Sequence, residues 1–288
     1  MIDRRGRHLP LDAHLHTTLS PDSNVPIDAF AEQAVELGID EIAITDHVDF
    51  DPTAPAYRYT SFAERERVVR DAAERWAERG VAIRLGAEIT WDGAWEADIR
   101  DYLRDHAYDF LIGSVHVYVR SPYDPPNVPA WVAGKTLPEI VGPYFAEVVA
   151  AARSELFDAI GHIDVIKRYL LPYVTTADLA AAPELYEPML RALIDTGTAL
   201  EINTGGLRHE ARETYPSPAI VARYRELGGR AVTIGSDAHR ADTFAWAFAD
   251  GYSAASAAGI DSLTFRRGGD RVLVPFATGP NAVAGHSL

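Results

Sequence analysis

Seven short runs of apolar and β-branched residues recur along this 288-residue chain, and each gives way to a polar, acidic or imidazole side chain. They are Pro10 to His16, Glu41 to His47, Val81 to Thr90, Phe110 to Val117, Phe157 to Asp164, Thr198 to Thr204 and Arg230 to His239. Helical spacing fills the gaps. Ile27 to Gly38 sets Phe30, Ala34 and Leu37 on one face and ends in glycine, a natural helix stop. Thr60 to Gly80 and Asp178 to Gly197 are longer stretches of the same kind, and Thr60, Asp178 and Ser217 are the expected N-caps. Alternating strands and helices imply parallel strands joined by right-handed crossovers. A barrel and a doubly wound sheet both satisfy that pattern, and both put their sites at the carboxyl ends of the strands. Only a closed barrel brings all seven ends together, so an α/β barrel is the expected fold.

The connection from Arg120 to Lys135 stands out, with Pro122, Pro125, Pro126, Pro129, Tyr123 and Trp131. It follows a strand end, so it is expected to lie over the site as a lid. Residues 1–288 read as one domain with a core of about 9–275 and a loose Gly- and Ala-rich tail at 278–288. There is no internal repeat.

Composition removes several functions. The net charge of −15 argues against a nucleic-acid partner. No apolar run reaches the roughly 18 residues of a membrane span, and no apolar segment follows the basic N-terminus, so a cytoplasmic location is expected. The absence of Cys excludes disulfides and thiolate ligands, so any transition metal is held by nitrogen and oxygen.

The strand ends carry the chemistry. In Asp12-Ala13-His14-Leu15-His16, residues two apart face one way, so both imidazoles can grip one ion while Asp12 orients one of them from behind. Further ends carry Thr45-Asp46-His47, Glu88, Ser114-Val115-His116, Gly161-His162-Ile163-Asp164 and Ser236-Asp237-Ala238-His239. Asp46 and His47 are adjacent and would face opposite ways on a regular strand; His47 is the expected ligand. Imidazole and carboxylate donors without thiolate suit zinc, manganese or iron, and their number exceeds the needs of one tetrahedral ion, so two to three divalent ions are expected. His8, His106 and His286 are assigned no role. Ser114 and Ser236 lack the Gly-x-Ser-x-Gly elbow of a serine nucleophile.

This ordered set resembles the PHP (polymerase and histidinol phosphatase) family of phosphoesterases, from about Leu11 to His239. Ile160 to Asp164, Lys167-Arg168-Tyr169 and Glu201 to Arg208 resemble its histidinol-phosphate phosphatase branch. The resemblance implies a distorted (β/α)7 barrel and three ions. His14, His16, Glu88 and Asp237 would hold the first. Glu88 would bridge to a second, completed by His116 and His162. Asp22, His47 and His239 would hold the third, with Asp22 standing where many relatives have His. The expected reaction is phosphomonoester hydrolysis by a hydroxide bridging the ions, with Glu88, His116 and Asp237 around it.

Phosphate needs cationic, directed donors. Arg208, Lys167 and Arg168 follow strand ends, Asn203 lies in the segment leading to Arg208, and His209 adjoins it; these are the expected substrate-binding residues for a small phosphorylated substrate. Trp91, Trp95, Tyr118 and Trp131 could wall an organic leaving group. Three other readings stand beside this one. They are a PHP enzyme for another small phosphomonoester, nucleotide or phosphodiester, an amidohydrolase-type C–N or C–O hydrolase, and a non-catalytic metal-binding module.

Overall fold

The computed structural model describes residues 10–117 and 121–276. His8, Tyr118, Arg120, His286 and the segment 278–288 lie outside the described residues.

Parallel strands β1 (Leu11–Leu15), β2 (Glu41–Ile44), β4 (Ala82–Thr90), β5 (Phe110–Ser114), β6 (Ala159–Ile160), β7 (Ala199–Asn203) and β8 (Val232–Gly235) pair in that order. A two-residue strand, β3 (His47–Val48), pairs beside the upper half of β4, with His47 opposite Glu88. The ring closes where His16 N–H donates to the Ala238 carbonyl at 3.0 Å and Asp237 N–H donates to that of His14 at 2.9 Å. The result is a nearly closed, distorted seven-stranded barrel whose strands are buried almost throughout. The break between β2 and β3 explains the adjacent Asp46 and His47. Asp46 turns down to accept from Thr17 N–H (2.6 Å) and Thr17 Oγ1 (2.8 Å), while His47 rejoins the ladder beside Glu88.

Helices coat the barrel. On α1 (Ile27–Leu37) the buried residues are Ile27, Phe30, Ala31 and Ala34, one turn apart. Leu37, the last residue of the helix, is exposed, and Gly38 at φ 61° then ends the helix. Helix α2 (Phe62–Ala77) is capped by Ser61, whose Oγ accepts from Glu64 N–H, not by Thr60, whose hydroxyl donates to the Leu19 carbonyl. Helix α3 (Glu96–Asp105) precedes β5.

Short α4 (Val128–Val132) and α5 (Leu137–Arg153) follow β5. The described part of the proline-rich connection does not cover the site. Tyr123 is buried and its hydroxyl donates to the Ile140 carbonyl on α5 at 2.7 Å; Trp131 packs on Tyr123 and beneath the Lys135 ammonium. The aromatic side chains of this segment have an apolar helix face to cover, and that draws them away from the strand ends.

The stretch at 178–197 is two helices after α6 (Ile166–Leu170), namely α7 (Thr176–Ala180) and α8 (Pro183–Thr196). Thr175 caps α7, and Asp178 is the partner three residues on, its carboxylate accepting from Thr175 N–H and Oγ1. Ser217 precedes α9 (Pro218–Glu226) without a side-chain cap bond. Helix α10 (Phe248–Ala257) leads to a hairpin that the seven-run reading missed, β9 (Ser262–Arg267) and β10 (Asp270–Pro275), turned by Gly268-Gly269 with φ of 58° and 91°. The hairpin fastens the floor of the barrel. Arg267 pairs with Glu41, Arg266 with Asp158, and Phe265 stacks on Phe110.

Candidate metal centre

At the opposite end of the barrel, residues from five strands and the loops beside them converge on one carboxylate. Glu88 is 1% exposed. Its Oε2 lies 2.9 Å from His47 Nδ1, and its Oε1 lies 3.1 Å from His116 Nε2 and 2.9 Å from His162 Nε2. His14 Nε2 and His16 Nε2 stand 3.4 and 3.5 Å from Oε2. Period-two geometry on β1 points both imidazoles inward. Their Nε2 atoms are 3.1 Å apart, and Asp237 Oδ1 is 3.3 Å from that of His16. Asp22 Oδ2 sits between His47 Nε2 (3.2 Å) and His239 Nε2 (3.1 Å) at the mouth.

Three groupings have donor atoms close enough to share an ion: His16, Asp22, His47 and His239; His14, His16 and Asp237; and His47, Glu88 and His116. Each residue expected to be a ligand therefore stands in this cluster, His162 through Glu88. His16 and His47 each fall in two groupings, so these groupings partition the residues differently from the expected sets, which share only Glu88.

The electrostatics suit cations. Burial would push the Glu88 carboxyl up, but His116, His14 and His47 hold it well below the ordinary carboxylate range. Burial likewise opposes ionisation of Asp237, and His14 and His16 outweigh it. Burial and the neighbouring His239 and His47 drive His16 down, so it keeps a lone pair free. Imidazoles and ionised carboxylates packed this closely, with buried His16 Nδ1 and His162 Nδ1 lacking a hydrogen-bond partner among the described residues, form a donor set that fits divalent ions with nitrogen and oxygen preferences.

Two of the expected ligands sit in left-handed backbone, His162 at φ 24° and Asp237 at φ 53°. Such conformations cost on the order of 1–3 kcal/mol each and persist where neighbours over-determine them. Arg208 is one of those neighbours. Its Nη1 donates to the Ser236 carbonyl (3.0 Å) and its Nη2 to that of Asp237 (2.9 Å). Asp12 is another. Its carboxylate does not touch the His14 ring; it accepts from Ser236 N–H (3.0 Å), Ser236 Oγ (2.6 Å) and His14 N–H (3.2 Å). Full burial raises it to about 7 against those bonds. The His14 ring is oriented instead by Glu201, whose Oε1 lies 2.5 Å from Nδ1.

A cavity of about 370 Å³ opens above the cluster, walled by Val165, Arg168, Tyr169, His209 and Tyr215. Arg168 is exposed and His209 half-buried. Burial, then Arg168 and Arg208, push His209 down to about 4, so its ring is neutral near pH 7. Lys167 is not brought here. It is 1% exposed, and its ammonium donates to Asp164 (2.8 Å) and to the Thr214 carbonyl (2.9 Å). The first turn of α6 points it inward beneath the pocket wall. Asn203 is fully buried, spending its amide on Glu201 and Asp237. Among the expected aromatics, Trp91 is buried with its indole N–H on Glu147, and Trp95 lines a neighbouring cavity of about 570 Å³. Tyr169 and Tyr215 take the wall position. Sequence reading missed both, and missed Glu201, although Glu201 shares the inward parity of Asn203 on β7. Neither serine is placed as a nucleophile, because Ser236 Oγ is spent on Asp12 and Ser114 Oγ is buried.

The model of the PHP domain matches residues 12–205. A protein of Deinococcus radiodurans named "Probable histidinol-phosphatase" is 30% identical over 258 residues, covering 88% of this chain and 96% of the relative. The histidinol-phosphatase of Lactococcus lactis is 27% identical over 239 residues, covering 80% of this chain and 84% of the relative. A crystal structure of a Lactococcus lactis histidinol phosphate phosphatase, complexed with zinc, L-histidinol and phosphate, superposes with a TM-score of 0.76 at 22% identity. That overlap covers 92% of this chain and 99% of the other, and it shows the fold. With the family model matched from β1 through β7 and a relative at this identity spanning most of both chains, the chain belongs to the PHP domain family.

Proposed function

We propose that this protein is a histidinol-phosphate phosphatase, hydrolysing L-histidinol phosphate to L-histidinol and phosphate. The observation that carries the reading is the buried Glu88 carboxylate shared by His47, His116 and His162, directly below a pocket walled by Arg168. Relatives named for this activity, and a fold neighbour complexed with histidinol and phosphate, support it. The residues hold two to three divalent ions, of zinc, manganese or iron. His14, His16, Glu88 and Asp237 serve the first, Glu88, His116 and His162 the second, and Asp22, His47 and His239 the third. Bound ions of this kind lower the pKa of water and neutralise phosphoryl oxygens.

The rest is done by the chain itself. Arg168 offers a guanidinium to the phosphoryl group from the pocket wall. Arg208 acts one step back, holding the Ser236–Asp237 backbone so that the Asp237 carboxylate stays aimed at His14 and His16. His209, neutral near pH 7, lines the pocket without adding charge, and half-buried Tyr169 offers aromatic surface for a flat, heteroaromatic leaving group, whereas Tyr215 is buried with the Lys167 ammonium over its ring. Glu88 keeps its carboxylate ionised and dry, which strengthens every interaction it makes.

The test is phosphate release from L-histidinol phosphate beside a panel of phosphomonoesters, nucleotides and phosphodiesters, using metal-reconstituted protein and a His14→Ala control. Turnover of histidinol phosphate, lost in the control, is expected. Turnover of another panel member alone would move the substrate, and amide hydrolysis without phosphate release would replace the reaction class.

A further inference from the structure

The geometry points to Glu201 as the positioning residue that holds ligands of two ion sites at once. It is not itself among the ligands. The inference rests on the metal-centre part of the proposed function and not on the substrate.

Glu201 lies in β7 with Asn203 two residues on, both fully buried and both on the inward face. A buried carboxylate is costly unless its oxygens are met by donors, and here they are. Oε1 is 2.5 Å from His14 Nδ1. Oε2 accepts the backbone N–H of His162 at 2.8 Å and the Asn203 side-chain amide at 3.2 Å. The same Asn203 amide nitrogen reaches Asp237 Oδ2 at 3.2 Å, and its Oδ1 accepts from Gly205 N–H at 2.9 Å. One carboxylate thus ties down His14 directly, His162 through its backbone and Asp237 through Asn203. The last two are the ligand residues in left-handed backbone. The barrel makes room for this. A Cβ at Gly235 would sit 2.7 Å from Glu201 Oε1, and one at Gly161 would sit 3.4 Å from Oε2 and against Ser114 Oγ.

Two consequences follow. With Nδ1–H donated to Glu201, the His14 lone pair is fixed on Nε2, the atom facing His16 and Glu88. Because His162 stands on the second expected site while His14 and Asp237 stand on the first, disturbing Glu201 loosens both sites together. The amide in Glu201→Gln cannot satisfy this arrangement. With its oxygen toward His14, its NH₂ opposes the His162 and Asn203 donors. Flipped, its NH₂ faces Nδ1 and forces the lone pair onto the wrong nitrogen.

The experiment is a Zn²⁺ titration of chelator-stripped wild type, E201Q and Asn203→Ala, with ions per chain counted by mass spectrometry and metal-free melting followed by circular dichroism. E201Q is expected to lose about 10- to 100-fold in Zn²⁺ affinity at its tight sites, and N203A a smaller factor. A merely structural carboxylate would lower the metal-free melting temperature and leave the affinities in place. E201Q that binds Zn²⁺ as tightly as wild type overturns the proposal, and so does tight binding by N203A if E201Q does not fold. Wild type that takes up no Zn²⁺ overturns the metal centre and this proposal with it, which separates that failure from a failure specific to Glu201.

Discussion

Asp22 Oδ2 stands 3.1 Å from His239 Nε2, joining two residues 217 positions apart in the chain at the mouth of the site. Asp22 is 47% exposed whereas Glu88 is 1% exposed, so the grouping around Asp22 is the most open to water. Asp22→Ala is expected to give up one ion first when the protein is dialysed against rising chelator, while Asp22→His retains it. Ions per chain, counted at each chelator level, decide the matter. An Ala variant that follows the wild-type curve throughout would remove Asp22 from the ligand set.

Glu88 touches three imidazoles from three different segments. Glu88→Gln keeps the shape and removes the charge on which those contacts converge. Its kcat is expected to fall on the order of 10³-fold, the scale for losing a preorganised charge in a dry site. Steady-state kinetics at saturating metal check this; a loss below tenfold would assign the central role elsewhere.

Arg168 and Lys167 are neighbours with opposite environments, one on the pocket wall and one sealed beneath it. Arg168→Ala is expected to lower kcat/KM by about 10- to 100-fold, the equivalent of a charge-assisted hydrogen bond of about 1.5–3 kcal/mol. It should weaken inhibition by inorganic phosphate in parallel, and Lys at this position should recover little. Lys167→Met breaks a buried pair and leaves Asp164 uncompensated, so its main effect is a loss of about 3 kcal/mol in stability by denaturant titration. A K167M protein of wild-type stability with a raised KM would return that ammonium to substrate binding.

Asp109, far from the cluster, reports on the barrel itself. Burial pushes its carboxyl up, but the hydrogen bonds from Arg70 and from Leu85 N–H outweigh burial and hold it below the usual range. A depressed carboxylate adds stability above its unfolded pKa of about 3.9, and that stability disappears as pH falls through the folded value. Asp109→Asn is therefore expected to lower the melting temperature by a roughly constant amount between about pH 5 and 8, with the difference shrinking below about pH 4. A difference that grows on acidification would contradict the sign.

What was legible in the sequence follows from periodicity. His14 and His16 share a face because strands alternate, and the strand-end residues Glu88, His116, His162 and Asp237 converge because the barrel closes. Environment was less legible. A lysine just past a strand reads as a cation for phosphate, yet one turn of α6 carries Lys167 inward to Asp164. Glu201 was hidden because an acidic residue in mid-strand declares its partners only when β1 and β6 are placed beside β7. The Pro-rich segment read as a lid from its position after β5, but Tyr123 and Trp131 find their packing on α5. The Gly268-Gly269 hairpin was legible and was passed over because it lies beyond the last strand of the repeat.

The contacts that close the ring join residues 14–16 to residues 237–238, so β1 waits for nearly the whole chain before it meets its second neighbour. At about 5–20 residues per second, a ribosome exposes the paired imidazoles of β1 on the order of 10–40 s before Asp237 and His239 emerge. During that interval the first and third expected ligand sets lack Asp237 and His239, and the second, Glu88, His116 and His162, stands in a barrel that has not closed. Completion of the first and third expected sites is thus late, set by the arrival of β8. A polypeptide stalled or cleaved before that strand would have most of its helices and strands and no finished vessel for metal.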